Sequence, residues 1–433
     1  MTVTPSQPEN IESTDQLNSQ FDWKNCWYPV TFIQDFPDSR PYRFSIYSEP
    51  LVLFKDQTGQ IICLQDRCPH RAAKLSDGQI IEGKIECLYH GWQFGSQGNC
   101  VHIPHLPDTA KIPKTACVPS FPVVEHQGMI WIWLGESENA KAEDIPTIPD
   151  LEKPGLFRVD TVTDLPFDQT YLIENFLDPA HVCISHDRTE YKIKKEDAQP
   201  LEMEVLSVSL EGIKSKYRKL GNPQIPWNNV EFTAPYLVTY SFGPVTAFVL
   251  YAVPLAPGHS RILARRLGDF YSRTFKLKPR WLEHLRQNKV FEEDLYLIQA
   301  QELYINQSGH TIKETYLPLK TADVLLIEYR KWLDQFGSKL PHYQGYSTHQ
   351  HLQHSTPVNL NSRYLRHTQI CSSCNRAYQT TQNIKKVSLA LAIVFAALGI
   401  VSENNLSILA VFTALIAIMI AVVAQKLKAH FEM

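Results

Sequence analysis

Short apolar and β-branched runs, broken every few positions by turn residues, fill the chain from Phe21 to about Glu138. Leu51–Phe54, Ile61–Leu64 and Met129–Leu134 are the clearest runs, with turn signals at Asp56–Gly59 and Ser96–Asn99. This pattern predicts a small all-β domain over residues 23–140. The Pro-rich stretch Ile145–Pro154 reads as a linker. Strand-like alternation returns from Val205 to Leu267 and includes a strong run, Tyr236–Val253. Helical spacing follows at Lys278–Tyr304 and Thr321–Phe336. Strands followed by a long helix predict an α+β domain over 155–340. Residues 341–385 are mostly polar and are expected to be a linker. They include His349, His351 and His354, a tract that resembles a metal site in composition only.

Two almost uncharged apolar runs, Val387–Val401 and Leu406–Ala424, end the chain, separated by Ser402–Asn405. A spanning helix needs about 20 apolar residues; the second run meets this, and the first is short and would need snorkelling lysines or a thinned bilayer. A buried amphipathic hairpin would show a polar face, and these runs show almost none. A membrane hairpin over 386–425 is therefore expected. Lys385 and Lys386 precede it and Lys426 and Lys428 follow it, which places both outer ends, and the soluble part, on the cytoplasmic side. The polar start, residues 1–22, has no apolar signal core and reads as a disordered tail.

A net charge of −3 with both signs mixed gives no nucleic-acid footprint. Nine cysteines in 433 residues are too few for a disulfide scaffold. Four sit in short motifs, which suits metal or redox work in a reducing compartment.

Cys68-Pro69-His70 and Cys87-Leu88-Tyr89-His90 form C-x-H and C-x-x-H, sixteen residues apart. Two loops that each offer one thiolate and one imidazole are what a Rieske [2Fe–2S] cluster needs: two cysteines for one iron, two histidines for the other. A zinc finger pairs Cys with Cys and His with His, a different order. Gly91 would let backbone approach the cluster. His102, His105 and His126 read as ordinary surface or satisfied histidines.

Glu174-Asn175-Phe176-Leu177-Asp178-Pro179-Ala180-His181 and then His186 form a second constellation. An O2-activating non-haem iron uses two His and one carboxylate on one face. A five-residue spacing on an ideal helix sets side chains about 140° apart, so both histidines reach one ion only if the segment is irregular. Pro179 supplies the break. No G-x-G-x-x-G follows a strand, so reducing electrons must come from a separate, ferredoxin-like protein.

The run Asp66–Ser76 with Cys87–Phe94 resembles the Rieske domain of ring-hydroxylating oxygenases, and most of all the pheophorbide a oxygenase branch, which also holds a plastid translocon component and cell-death suppressors. The resemblance covers about residues 23–424. It implies an N-terminal all-β Rieske domain, a helix-grip-like α+β catalytic domain with mononuclear Fe(II), and a C-terminal two-helix membrane hairpin. The third iron ligand is then an aspartate on the long helix; Phe291–Gln301 matches, with Asp294 as the choice and Glu293 as rival. Asp178 would bridge His181 to a cluster histidine of the next subunit in a homotrimer, and Asn175 would orient the site. The implied reaction is O2-dependent hydroxylation or oxidative cleavage of a hydrophobic ring substrate, a chlorophyll-derived tetrapyrrole first, with another lipophilic ring compound as runner-up. The branch also carries a C-x-x-C before two spans, as in Cys371-Ser372-Ser373-Cys374 here. Three uses of that pair stay open: a thiol switch addressed by thioredoxin, half of a zinc site with no second pair nearby, or no special role. The plastid-directing extension expected of plant members is not seen, which suggests a photosynthetic bacterial homologue in a thylakoid or plasma membrane. A redox sensor or translocon-associated electron carrier is the rival class; it would not need a complete His181/His186/Asp294 set.

Overall fold

The computed structural model describes residues 19–153, 158–190, 193–221, 223–268, 278–348 and 362–433. Three antiparallel sheets make the N-terminal domain. Trp27–Phe32, Met129–Trp133 and Val123–His126 pair in that spatial order. Tyr42–Ile46, Glu49–Lys55, Ile61–Gln65 and Ser120–Phe121 form the second. Gln79–Ile81, Lys84–Glu86, Gln93–Phe94 and Cys100–His102 form the third, beside the Cys/His loops. The cluster-bearing lobe has its own small core around Val52, Phe54, Leu64, Ile85 and Phe94. The strand Trp27–Phe32 instead joins the main core and is buried at every position, because its outer face is covered by the catalytic domain. Tyr236 donates to the Trp27 carbonyl at 2.5 Å, and Arg261 Nη1 to that of Val30 at 3.1 Å.

The catalytic domain is one seven-stranded antiparallel sheet. Its spatial order is Arg158–Leu165, His259–Leu267, Val245–Ala256, Leu237–Phe242, Asn228–Thr233, Gly212–Lys219, Leu201–Ser209. The strong apolar run Tyr236–Val253 falls in two strands, turned at Gly243, whose φ of +63° suits a residue without a Cβ. Ile145 and Ile148 of the expected linker are buried, and Asp150 accepts from the Thr246 amide at 2.8 Å.

Helices α1 (Gln169–Phe176) and α2 (Val182–Ser185) sit in the connection after the first catalytic strand. Asp168 caps α1 by accepting from the Thr170 amide at 2.9 Å. The long helix α3 (Arg280–Ser308) packs across the sheet and ends at Gly309, φ +69°. The short α4 (Ile312–Thr315) and then α5 (Val324–Phe336) follow.

Of the expected linker over 341–385, residues 341–348 and 362–385 are described, and both parts pack on the body: Gln344 is buried and its carbonyl accepts from Arg330 at 2.7 Å. A π-helical turn, Tyr364–Thr368, leads into α6 (Ser372–Val401), which starts inside the C-x-x-C motif. Its first turns pack on α3 and on the N-terminal domain: the Ser372 amide donates to Asp35 at 2.8 Å, and Arg280 of α3 donates to the same carboxylate at 3.0 Å. His349, His351 and His354 lie outside the described residues. Helix α7 (Asn404–Glu432) returns antiparallel to α6. Ala410, Ala414, Ala417, Ala421 and Ala424 form its buried stripe, and Ser388 and Ala392 are buried on α6; small residues let the two backbones approach closely. The other faces expose leucine, isoleucine and valine. By length and composition both helices can cross a membrane.

Candidate functional site

The two cluster loops are built alike. In the first, the Cys68 amide donates to Ala73 O at 2.8 Å and the Ala72 amide to Cys68 O at 2.9 Å; in the second, the Cys87 amide donates to Trp92 O and the Gly91 amide to Cys87 O, both at 2.9 Å. The residue four after each cysteine has positive φ: Ala72 at +55°, Gly91 at +71°. These turns lift one imidazole from each loop towards the other, with the His70 and His90 rings 4.4 Å apart. Gly91 is needed for its φ, and a Cβ there would sit 2.8 Å from Pro104 Cγ, so it also admits the Pro104 loop. Trp92 stacks on His70 at 4.7 Å and 5°, a contact that spacing does not reveal.

The donor set fits a Rieske cluster. Both cysteines are buried, and His70 Nδ1 is a buried ring nitrogen with no hydrogen-bond partner among the described residues. Burial pushes the Cys68 thiol up to about 11, so a thiolate there needs a metal's charge to hold it. His105 lies 6.5 Å from His90, ring to ring, and His126 meets Thr147 at 3.0 Å.

The second centre forms where α1 stops. After Phe176 the chain turns through Asp178-Pro179-Ala180, with Asp178 Oδ1 accepting from the amides of Ala180 at 2.8 Å and His181 at 3.3 Å. His181 and His186 then cap opposite ends of α2. Two histidines five apart therefore face one point, because the helix between them lasts only four residues. Asp294, from α3, completes the group: the three donor atoms lie within 4.8 Å of one another. Asp294 Oδ2 is 3.7 Å from His181 Nε2 and 3.2 Å from His186 Nε2. Asn175 Nδ2 sits 3.4 Å from Asp294 Oδ2 and 3.5 Å from His181 Nε2.

Glu293 does a different job from Asp294. It meets His186 Nδ1 at 2.9 Å and accepts from Thr189 at 2.5 Å, so it holds the far side of the imidazole and leaves Nε2 directed at Asp294. Burial pulls His186 down, but Asp294 and Glu293 outweigh this, leaving its pKa above the ordinary value. His181 Nδ1 is 3.4 Å from Asp178 Oδ2 without hydrogen-bond geometry. Glu174, beside Asn175, is anchored in the interior: Arg330 Nε donates to it at 2.6 Å and Tyr316 at 2.8 Å.

All three donors line a cavity of about 590 Å³ whose walls include Phe176, Tyr240, Phe242, Phe248 and Phe291. A second cavity, of about 460 Å³, also touches His181 and Asp294 and has Glu174, Gln301, Thr315 and Asp323 in its walls. Cys371 and Cys374 lie elsewhere, fully buried beside His284 and His367. Spacing gave no sign of those two histidines, which are 83 positions apart in the chain.

A Cys/His loop pair on an all-β lobe, with a two-histidine carboxylate centre opening on an aromatic cavity, defines a Rieske non-haem iron oxygenase. Comparison with known proteins agrees. The Rieske [2Fe-2S] domain family matches residues 26–122, and the pheophorbide a oxygenase family matches residues 222–311. The chain is 35% identical to the chloroplast protein TIC 55 of Arabidopsis thaliana, over 92% of this chain and 79% of the relative. It is 30% identical to chloroplast pheophorbide a oxygenase of Oryza sativa subsp. japonica, over 98% and 86%. Among solved structures, dicamba monooxygenase bound to dicamba shares the fold, with a TM-score of 0.60 at 22% identity over 73% of this chain and 97% of that one. The chain belongs to the pheophorbide a oxygenase family of Rieske oxygenases.

Proposed function

We propose that this chain is a membrane-anchored oxygenase of a chlorophyll-derived tetrapyrrole, with Cys68, His70, Cys87 and His90 holding the cluster and His181, His186 and Asp294 the mononuclear iron. The observation that carries the reading is the aromatic cavity onto which all three iron-site donors open. Its volume lies in the range of about 300–1,000 Å³ typical of small-molecule sites, and its walls suit a flat, apolar ring system. When bound, the cluster supplies single electrons and the mononuclear iron supplies O2 activation.

The residues of the chain divide the remaining work. Glu293 fixes the His186 ring. Asn175, bonded to Asp294, keeps that carboxylate turned towards both histidines. The phenylalanines exclude water around the substrate and orient its plane. Asp178 has one oxygen occupied by two amides and the other beside His181, an arrangement suited to linking His181 to a group from outside the chain. Leu88 and Tyr89, between cluster ligands Cys87 and His90, are 70% and 60% exposed. Among the described residues no hydrogen bond joins the cluster loops to the iron site. These features favour a homotrimer in which one subunit's cluster loop docks near the next subunit's Asp178. Ferredoxin would load electrons at the cluster. Thioredoxin would have to reach Cys371 and Cys374, which are fully buried, so that pair takes no part in this path.

Lys385 donates to Gln425 at 2.8 Å at the end of the hairpin next to the soluble body, and Lys426 and Lys428 lie on α7 close by. These favour a soluble part on the cytoplasmic side of a thylakoid or plasma membrane. A relative named protochlorophyllide-dependent translocon component 52, from Arabidopsis thaliana and 27% identical, raises the rival reading of a translocon-associated electron carrier; the gathered His181/His186/Asp294 set favours the oxygenase. The test is to supply anaerobically purified chain with reduced ferredoxin, O2 and pheophorbide-type tetrapyrroles, then analyse products by mass spectrometry. Oxygenated or ring-opened tetrapyrrole is expected. Turnover of other lipophilic rings with tetrapyrroles untouched would overturn the substrate assignment.

A further inference from the structure

Cys371, Cys374, His284 and His367 meet where α3, the Tyr364–Thr368 turn and the start of α6 converge, all four at 0–1% exposure. Every donor atom is within 4.8 Å of the other three. His367 Nε2 is 3.2 Å from Cys374 Sγ; His284 Nδ1 is 3.4 Å from Cys371 Sγ and 3.5 Å from Cys374 Sγ. A tetrahedral ion bonded at about 2.3 Å to sulfur and about 2.05 Å to nitrogen sets unlike ligands about 3.5 Å apart. The separations match that shell.

The backs of the two imidazoles give independent support. His367 Nδ1 faces the Val162 carbonyl at 2.6 Å, and His284 Nε2 faces the Asp160 carbonyl at 3.0 Å. A carbonyl only accepts, so each facing nitrogen carries the proton. The other nitrogen of each ring is left as a lone pair aimed at the sulfurs, which is how ligating histidines are held. Both carbonyls belong to strand Arg158–Leu165, which among the described residues is at the edge of the seven-stranded sheet. A Cys371–Cys374 disulfide would leave both buried lone pairs without a partner, a costly arrangement.

We propose that these four residues bind a structural Zn²⁺, two thiolates and two neutral imidazoles around one ion. Binding releases the two thiol protons to solvent, and the thiolates cancel the ion's charge. The site is separate from the oxygenase centres and does not depend on their assignment. Its ligands staple the root of the membrane helix α6 to α3. His284 precedes Asp294 on α3 by ten residues, about 15 Å along the axis, so the ion would also set the position of the helix that presents Asp294.

The test uses the full chain, purified in detergent without air. Elemental analysis should find zinc at about one per chain beside the iron, and zinc-edge X-ray absorption should show two sulfurs near about 2.3 Å and two nitrogens near about 2.05 Å. His367→Ala and Cys374→Ser should each lose the zinc while keeping the [2Fe–2S] optical bands; the wild-type spectrum decides even if neither variant folds. Absence of zinc, a Cys371–Cys374 disulfide in the isolated protein, a zinc shell of oxygen and nitrogen only, or iron in this site would each overturn the proposal.

Discussion

Glu293 and Asp294 are consecutive acids on one helix, and their side chains reach opposite edges of the same imidazole. Removing them should therefore give different losses. Asp294→Ala or His181→Ala should lower total iron from about three to about two per chain, since a three-ligand site has none to spare. Glu293→Gln should keep the iron and reduce turnover by about 10–100-fold, the usual cost of losing a partner behind a ligand; metal analysis beside a product assay separates the two cases. At the cluster, His70→Cys should lower the reduction potential by on the order of 100 mV or more, because a thiolate replaces a neutral imidazole. Redox titration followed by EPR reads this directly. The four candidate cluster donors could be picked out in the chain because they sit in two short motifs. Trp92 and Pro104, which brace the loops, were not: a stacking contact and a van der Waals stop leave no spacing signature. Gly91 also has to admit Pro104, a constraint that stands beside the close approach to the cluster expected of it.

The site depends on how its elements are held. Helix α1 is tied to α5 through Glu174 and Arg330, an interior ion pair with both partners buried. Arg330→Leu strips Glu174 of that partner and should cost about 3–5 kcal/mol, the range for breaking a buried pair; chemical denaturation with intact metal content in the folded fraction measures it. The segment after α2 is clamped by Glu190, which Arg266 Nη2 and Arg286 Nη1 meet at 2.7 and 3.0 Å. Burial raises its pKa, but the two guanidiniums overcome this and bring it from 4.5 to about 2. A carboxylate with a lowered folded value contributes fully above its unfolded pKa and loses that contribution as pH falls through the folded one. Stability should therefore decline between about pH 5 and 2 less steeply in Glu190→Gln than in the wild type, when thermal unfolding is followed across that range. Element types were mostly readable from periodicity: the long helix carrying Asp294 was expected at Lys278–Tyr304 and runs over Arg280–Ser308. The stretch before the first apolar run misled because its polarity suggested a linker. Its residues are polar where they meet Asp35, Glu292 and the buried cysteines, partners that lie far away in sequence.

For the whole molecule, α6 and α7 make the full chain a membrane protein in this account, so it should stay with membranes through carbonate extraction. Both chain ends should be protected or exposed together in protease assays; ends on opposite sides would break the hairpin. The homotrimer reading has its own check. Cys68→Ser and Asp294→Ala subunits should each be inactive alone, while proven mixed trimers regain part of the activity, because an intact cluster then borders an intact iron site. Asp178→Asn should retain both metal centres yet lose most turnover, since an amide keeps the shape but not the charge-assisted bond. The two histidines beside the cysteine pair show what sequence cannot supply at this scale: His284 and His367 meet only once α3 and the turn before α6 have folded against the same strand. All of the proposed chemistry converges on O2 at His181, His186 and Asp294. The most direct test is a single turnover under ¹⁸O2 with chemically reduced enzyme and a pheophorbide-type tetrapyrrole. The wild type should give ¹⁸O in the tetrapyrrole product, and Asp294→Ala should give no labelled product. Unlabelled product, or equal labelling in the variant, would contradict that chemistry.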